Sequence, residues 1–254
     1  MQNFGGLLSP LFPFSYLFVD NFMFQTIKYT APWLLQNLIW IPTRFFLYFF
    51  SHLRVTGLDN LKKIRGPVIF VSNHTSELDP ILLPASLPFL SRFLPIFYVS
   101  REKTFYNQKV LLKRLLYGGF FFEAWGAYQA FVGLRDYEES LKNHIKILNA
   151  GHSLMIFPEG KKSFDGQIHT SESKGGAAFL CHKTKATIVP ITISGAFRTN
   201  PLEFFTFKKY FSVHFSNPIF SKDFFINDDY IEPSEYRKII REKVMPIVES
   251  ILIK

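Results

Sequence analysis

The chain has 254 residues, 48% of them hydrophobic, and a formal net charge of +9 from 29 Lys+Arg against 20 Asp+Glu. That length suits one α/β domain with a full core and a smaller appendage. The lone Cys181 rules out an internal disulfide, no cleavable leader pattern is found, and the expected setting is the cytoplasmic side. The positive balance fits a polyanion, but without zinc-finger spacing, an RNP-type motif or a basic heptad helix it gives no case for nucleic acid. An anionic membrane surface is the better partner.

The first 50 residues are rich in Phe and hold three charges, Asp20, Lys28 and Arg44. Pro10, Pro13 and Asp20 interrupt residues 1–28, so an interfacial segment is expected there in place of a straight span. From Tyr29 to Leu53 polar residues recur in pairs, Tyr29/Thr30, Gln36/Asn37, Thr43/Arg44 and Ser51/His52. This spacing predicts an apolar helix with one narrow polar stripe, bent or broken at Pro32 and Pro42. It would lie in the interface with the stripe outward, cross the bilayer with the stripe packed on another helix, or cover an apolar face of the following domain. We take residues 1–54 as an apolar N-terminal membrane-anchoring segment and 55–254 as the catalytic domain.

After Gly57 short apolar runs alternate with helical stretches, the pattern of an α/β fold with a mostly parallel central sheet flanked by helices. Strands are predicted at Val68–Val71, Pro95–Val99, Phe120–Phe122, Leu154–Phe157, Thr187–Ile193 and Tyr210–Phe215. Helices are predicted at Gln108–Tyr117, Asp136–Asn149 and Pro233–Ile253.

The run VIFVSNHTSELDP places His74 and Asp79 in the loop after a buried strand, where α/β proteins present reactive groups. A neutral imidazole, with its reference pKa of about 6.5, can take a proton from a hydroxyl at neutral pH if a carboxylate fixes its tautomer. Asp79 precedes Pro80, so it is also a candidate helix N-cap, with one carboxylate oxygen for each duty. Further on, FPEG at Phe157–Gly160 combines a strand end, a turn at Pro158, a carboxylate at Glu159 and a glycine that permits a tight backbone.

NHTSELD resembles the HxxxxD block of the glycerolipid and lysophospholipid acyltransferase superfamily, and FPEG resembles its second block. SKGGAAFL (Ser173–Leu180) and IVPITISG (Ile188–Gly195) resemble the segments that follow, so the likeness covers roughly residues 55 to 200. The resemblance implies a glycerolipid acyltransferase-like fold with His74 and Asp79 as catalytic residues. It further implies a phosphate-binding role for the second block, through Glu159, Gly160 and the cations Lys161 and Lys162, where the family commonly has Thr and Arg. Lysine keeps the charge but not the bidentate fork. The family's phosphate-binding Arg falls near Val132 here, so Arg135 is the expected substitute, with Lys174 nearby in the third segment. Arg135 also reads as a solvated charge at a helix start.

Other patterns carry less. GHSLM at Gly151–Met155 lacks the closing Gly of a nucleophile elbow, SESK at Ser171–Lys174 lacks companion motifs, and His74 with Glu77 falls short of a metal ligand set. The sequon at Asn73 has no meaning in the cytosol. The resemblance therefore implies transfer of a fatty acyl group from acyl-CoA or acyl carrier protein to a lysophospholipid, foremost 1-acylglycerol 3-phosphate, giving phosphatidate without metal or redox cofactor. Alternatives are another lyso-lipid acceptor, or a non-catalytic lipid-binding protein of the same fold.

Overall fold

Alternating side chains along β2 (Val68–Ser72), all buried, determine the layering: Val68 and Phe70 enter one hydrophobic cluster while Ile69 and Val71 enter another on the opposite face. The computed structural model describes residues 14–100, 123–131, 136–225 and 230–252, with side chains from Lys28 onward. The sheet has seven strands in the order β1-β7-β6-β2-β5-β3-β4. The others are β1 (Arg54–Thr56), β3 (Ile96–Ser100), β4 (Ala127–Gln129), β5 (Ser153–Ile156), β6 (Thr187–Ser194) and β7 (Ser212–Phe215). All neighbours are parallel except β6 and β7.

One face is covered by α1 (Phe14–Ser51) and α2 (Asp79–Ser86), which bring Leu47, Leu82 and Leu83 onto Phe70, Met155 and Phe215. On the other face lie α3 (Tyr137–Ser140), α4 (Lys142–Asn149), α5 (Gly176–Thr184), α7 (Pro233–Ile239) and α8 (Met245–Leu252), with α6 (Pro201–Phe205) between β6 and β7 beside α1. The helix expected over 136–149 is two pieces, because Leu141 leaves helical geometry at φ −115, ψ 17. The final helix runs as expected but with a π-helical turn at Ile240–Val244 joining α7 and α8. The expected helix at 108–117 and strand at 120–122 lie outside the described residues, as do residues 1–13. Cys181 is free and buried in the second cluster, and burial pushes its thiol up to about 12.

Helix α1 departs from expectation in two ways. It continues through Pro32 and Pro42, where a bend or a break was expected. The helix is held from outside: Gln36 accepts from Ile96 N–H and donates to the carbonyls of Ile96 and Trp125, Trp40 Nε1 donates to Leu87 O, and Arg44 donates to Ala85 O. Such tertiary bonds outweigh the local cost of proline. The polar stripe therefore turns inward, with Gln36 and Asn37 buried, and the outer side is apolar, Leu38 being 74% exposed. Among the described residues no helix is long and apolar enough to cross a membrane.

Candidate active site

Parallel pairing of β2 with both β5 and β6 brings the loop after each strand to one edge of the sheet. The loop after β2 carries Asn73, His74 and Asp79, and the loop after β5 is FPEG. Strand-end loops in such sheets are free to carry chemistry because the strands themselves are fixed by the ladder.

His74 Nδ1 lies 2.9 Å from Asp79 Oδ2. The same oxygen accepts the N–H groups of Thr75 (2.7 Å) and Ser76 (2.8 Å), which makes the segment from 74 to 79 a closed turn around one carboxylate oxygen. Asp79 is fully buried and the His74 side chain is 17% exposed, its ring stacked on Phe157 at 4.1 Å between centroids. With Nδ1–H directed to the carboxylate, Nε2 carries the lone pair. Asp79 does not act as the expected N-cap: Leu78 holds that position with no side-chain cap, and all of Asp79's bonds fall on the preceding loop. Its Oδ1 is buried with no partner among the described residues.

Two further residues hold this loop, and the sequence reading assigned neither duty. Asn73, buried, donates to Ile193 O and accepts from Ile193 N–H, fastening the residue before His74 to β6. Glu159 accepts the His74 N–H at 3.3 Å. Burial raises the Glu159 pKa, opposed by backbone N–H groups of His74 and His169. After FPEG, the Ser163 N–H donates to His74 O at 2.8 Å, so the two loops share backbone bonds as well. An Asn or Glu at a strand end is the only hint available beforehand.

Gly160 has φ 67, a left-handed conformation suited to glycine, and a side chain there would meet Lys174 Nζ at 3.2 Å. Lys174 is therefore beside FPEG. Lys161 pairs with Glu172 at 2.8 Å and Lys162 with Glu77 at 2.7 Å, so both lysines reach carboxylates at the site's rim. Exposed pairs of this kind contribute about 0–1 kcal/mol and exchange readily for a stronger anion. Arg135 lies outside the described residues. Ser153 of the GHSLM pattern begins β5 as a buried strand residue, with no elbow geometry.

The site is thus a carboxylate-oriented histidine at the carboxyl edge of a mostly parallel sheet, backed by a second loop with a glutamate and lysines. The profile of the family described as Acyltransferase matches residues 52–194, and the chain belongs to that family. Among curated relatives, a chloroplastic 1-acyl-sn-glycerol-3-phosphate acyltransferase of Arabidopsis thaliana is 30% identical over 162 residues, covering 61% of this chain and 39% of that protein. The 1-acyl-sn-glycerol-3-phosphate acyltransferase of Saccharomyces cerevisiae is 29% identical over 168 residues, covering 61% and 48%. That of Borreliella burgdorferi is 26% identical over 204 residues, covering 78% and 72%. The chain thus spans less than half the length of the first two. The crystal structure of a 1-acyl-sn-glycerophosphate acyltransferase from Thermotoga maritima shares the fold, with a TM-score of 0.56 and 20% identity over 94% of this chain and 88% of that one.

Proposed function

We propose that this chain is an O-acyltransferase of the membrane surface, transferring a fatty acyl group from the thioester of coenzyme A or acyl carrier protein to the free hydroxyl of 1-acylglycerol 3-phosphate, giving phosphatidate. The observation that carries the reading is the His74 Nδ1 to Asp79 Oδ2 contact of 2.9 Å, which leaves Nε2 as the basic nitrogen. In this mechanism His74 Nε2 takes the acceptor's hydroxyl proton as its oxygen attacks the thioester carbonyl carbon. Asp79 stabilises the imidazolium that forms. The tetrahedral intermediate then expels the carrier thiolate, which recovers the proton from Nε2. No covalent enzyme intermediate, metal or redox cofactor enters this chemistry.

The choice of acceptor is supported by the three curated relatives, each a 1-acyl-sn-glycerol-3-phosphate acyltransferase. Lys161 and Lys162 directly follow FPEG and Lys174 lies beside Gly160, which supports assigning these lysines, with Arg135 and with Glu159 and Gly160 shaping the loop, to the acceptor's phosphate. Residues 1–54 are the anchoring segment on the cytoplasmic face and 55–254 the acyltransferase domain. The apolar outer side of α1 supports that anchoring.

The test is a panel of lyso-lipids offered to the purified chain with acyl-CoA and with acyl carrier protein. Phosphatidate formation above all other products is expected. Preference for an acceptor without a terminal phosphate would overturn the substrate assignment, and failure with every acceptor would overturn the activity.

A further inference from the structure

Beyond the matched residues 52–194, the turn containing α6 is joined to the end of α1 by a cluster of rings. Phe49 contacts Phe207 (5.3 Å), Phe50 contacts Phe205 (5.2 Å) and Phe207 (5.2 Å), and His52 stacks on Tyr210 (5.1 Å). The cluster does not bury its outer side. Leu202 is 73% exposed and Tyr210 68%, and Phe205, Phe207, Phe45, Phe46 and Tyr48 are exposed as well.

The charge around this surface is one-sided. Residues 44–56 and 196–211 contain Arg44, Arg54, Arg198, Lys208 and Lys209 against a single acid, Glu203, which pairs with Lys209 at 3.2 Å. Arg54, Arg198 and Lys208 are exposed. Aromatic and aliphatic side chains rimmed by tyrosine and cations match the acyl-headgroup boundary of an anionic bilayer.

The same segment is braced to the candidate active site. It leaves the carboxyl end of β6, the edge that carries His74. Arg198 donates to Phe164 O at 3.3 Å, and Phe197 lies against Gly166, in the loop whose Ser163 N–H donates to His74 O.

We propose that residues 196–210 form a second lipid contact, which together with α1 seats the His74 edge of the sheet on an anionic membrane. The identity of the membrane-held substrate rests on the function proposed above, whereas the contact itself does not. The test uses the full chain carrying Leu202→Ser with Phe205→Ser, and separately Lys208→Glu, on phosphatidylglycerol and phosphatidylcholine vesicles. The double variant should bind both kinds about tenfold more weakly or worse, since two apolar side chains lose their burial. Lys208→Glu should weaken binding to phosphatidylglycerol alone. Transfer to a water-soluble short-chain acceptor should be unchanged while transfer to a vesicle-held acceptor falls with binding. Undiminished vesicle binding by a folded double variant would overturn the proposal, as would a loss of self-association with vesicle binding intact, which would assign the surface to a second copy. Should no acceptor be acylated, the proposed function fails and vesicle binding still decides this contact.

Discussion

The Asn73 side chain exchanges two hydrogen bonds, both of 2.9 Å, with the backbone of Ile193, 120 residues further along the chain. It acts as one more rung between β2 and β6, placed immediately before His74. Asn73→Ala would leave a buried N–H and a buried carbonyl without partners, at about 1–3 kcal/mol each. We expect calorimetry to give a lower Tm by several degrees, and kcat to fall because the His74 loop loses its tether. An unchanged Tm would mean that the two Ile193 groups find other partners.

Glu159 is a buried acid whose pKa is raised by burial above the ordinary value of 4.5. The folded state then holds a proton that the unfolded state releases, so its contribution to stability is complete below pH 4.5 and is lost as pH rises through the folded value. Glu159→Gln keeps an oxygen acceptor for the His74 N–H without the charge. Its stability relative to wild type should therefore improve as pH increases from about 4.5, measured by denaturant unfolding across that range. A constant difference at all pH values would contradict this account.

Lys162 reaches Glu77 of the HxxxxD loop and Lys161 reaches Glu172, so phosphate would have to draw both from carboxylates. A charge-assisted contact to phosphate contributes about 1.5–3 kcal/mol. Lys162→Ala should therefore lower kcat/KM toward lysophosphatidate about tenfold or more, and barely alter transfer to an acceptor without phosphate. Equal losses with both acceptors would make Lys162 a support of the loop and not a phosphate ligand.

Helix α1 combines structural and surface duties, because Leu47 enters the core while Leu38 faces outward. Deleting residues 1–53 should cause aggregation by uncovering that core. Leu38→Ser with Phe45→Ser should weaken sedimentation with membranes and leave the thermal transition within about 1–2 °C, as for surface changes generally. If the deleted chain were monomeric and stable, α1 would be a detachable anchor and no part of the fold.

The buried strands were legible because each is a short apolar run, and the site loops because they follow such runs. β1 and β4, three residues each, are too short to show a period. The stripe of α1 was visible, but its direction depended on carbonyls of Ile96, Trp125 and Ala85 that only the tertiary fold presents. His74 and Asp79 share one tight turn and could be paired from spacing. The Asn73 tether and the Glu159 contact to His74 arise from strand neighbours far apart in sequence, where no local pattern reports them.

The most direct test of the account is acyl transfer by His74→Ala in a chain whose circular dichroism and membrane binding match wild type. Removal of the general base should reduce kcat by about 100- to 10,000-fold, with Asp79→Asn nearly as harmful. Turnover like that of wild type in the folded His74→Ala protein would contradict it.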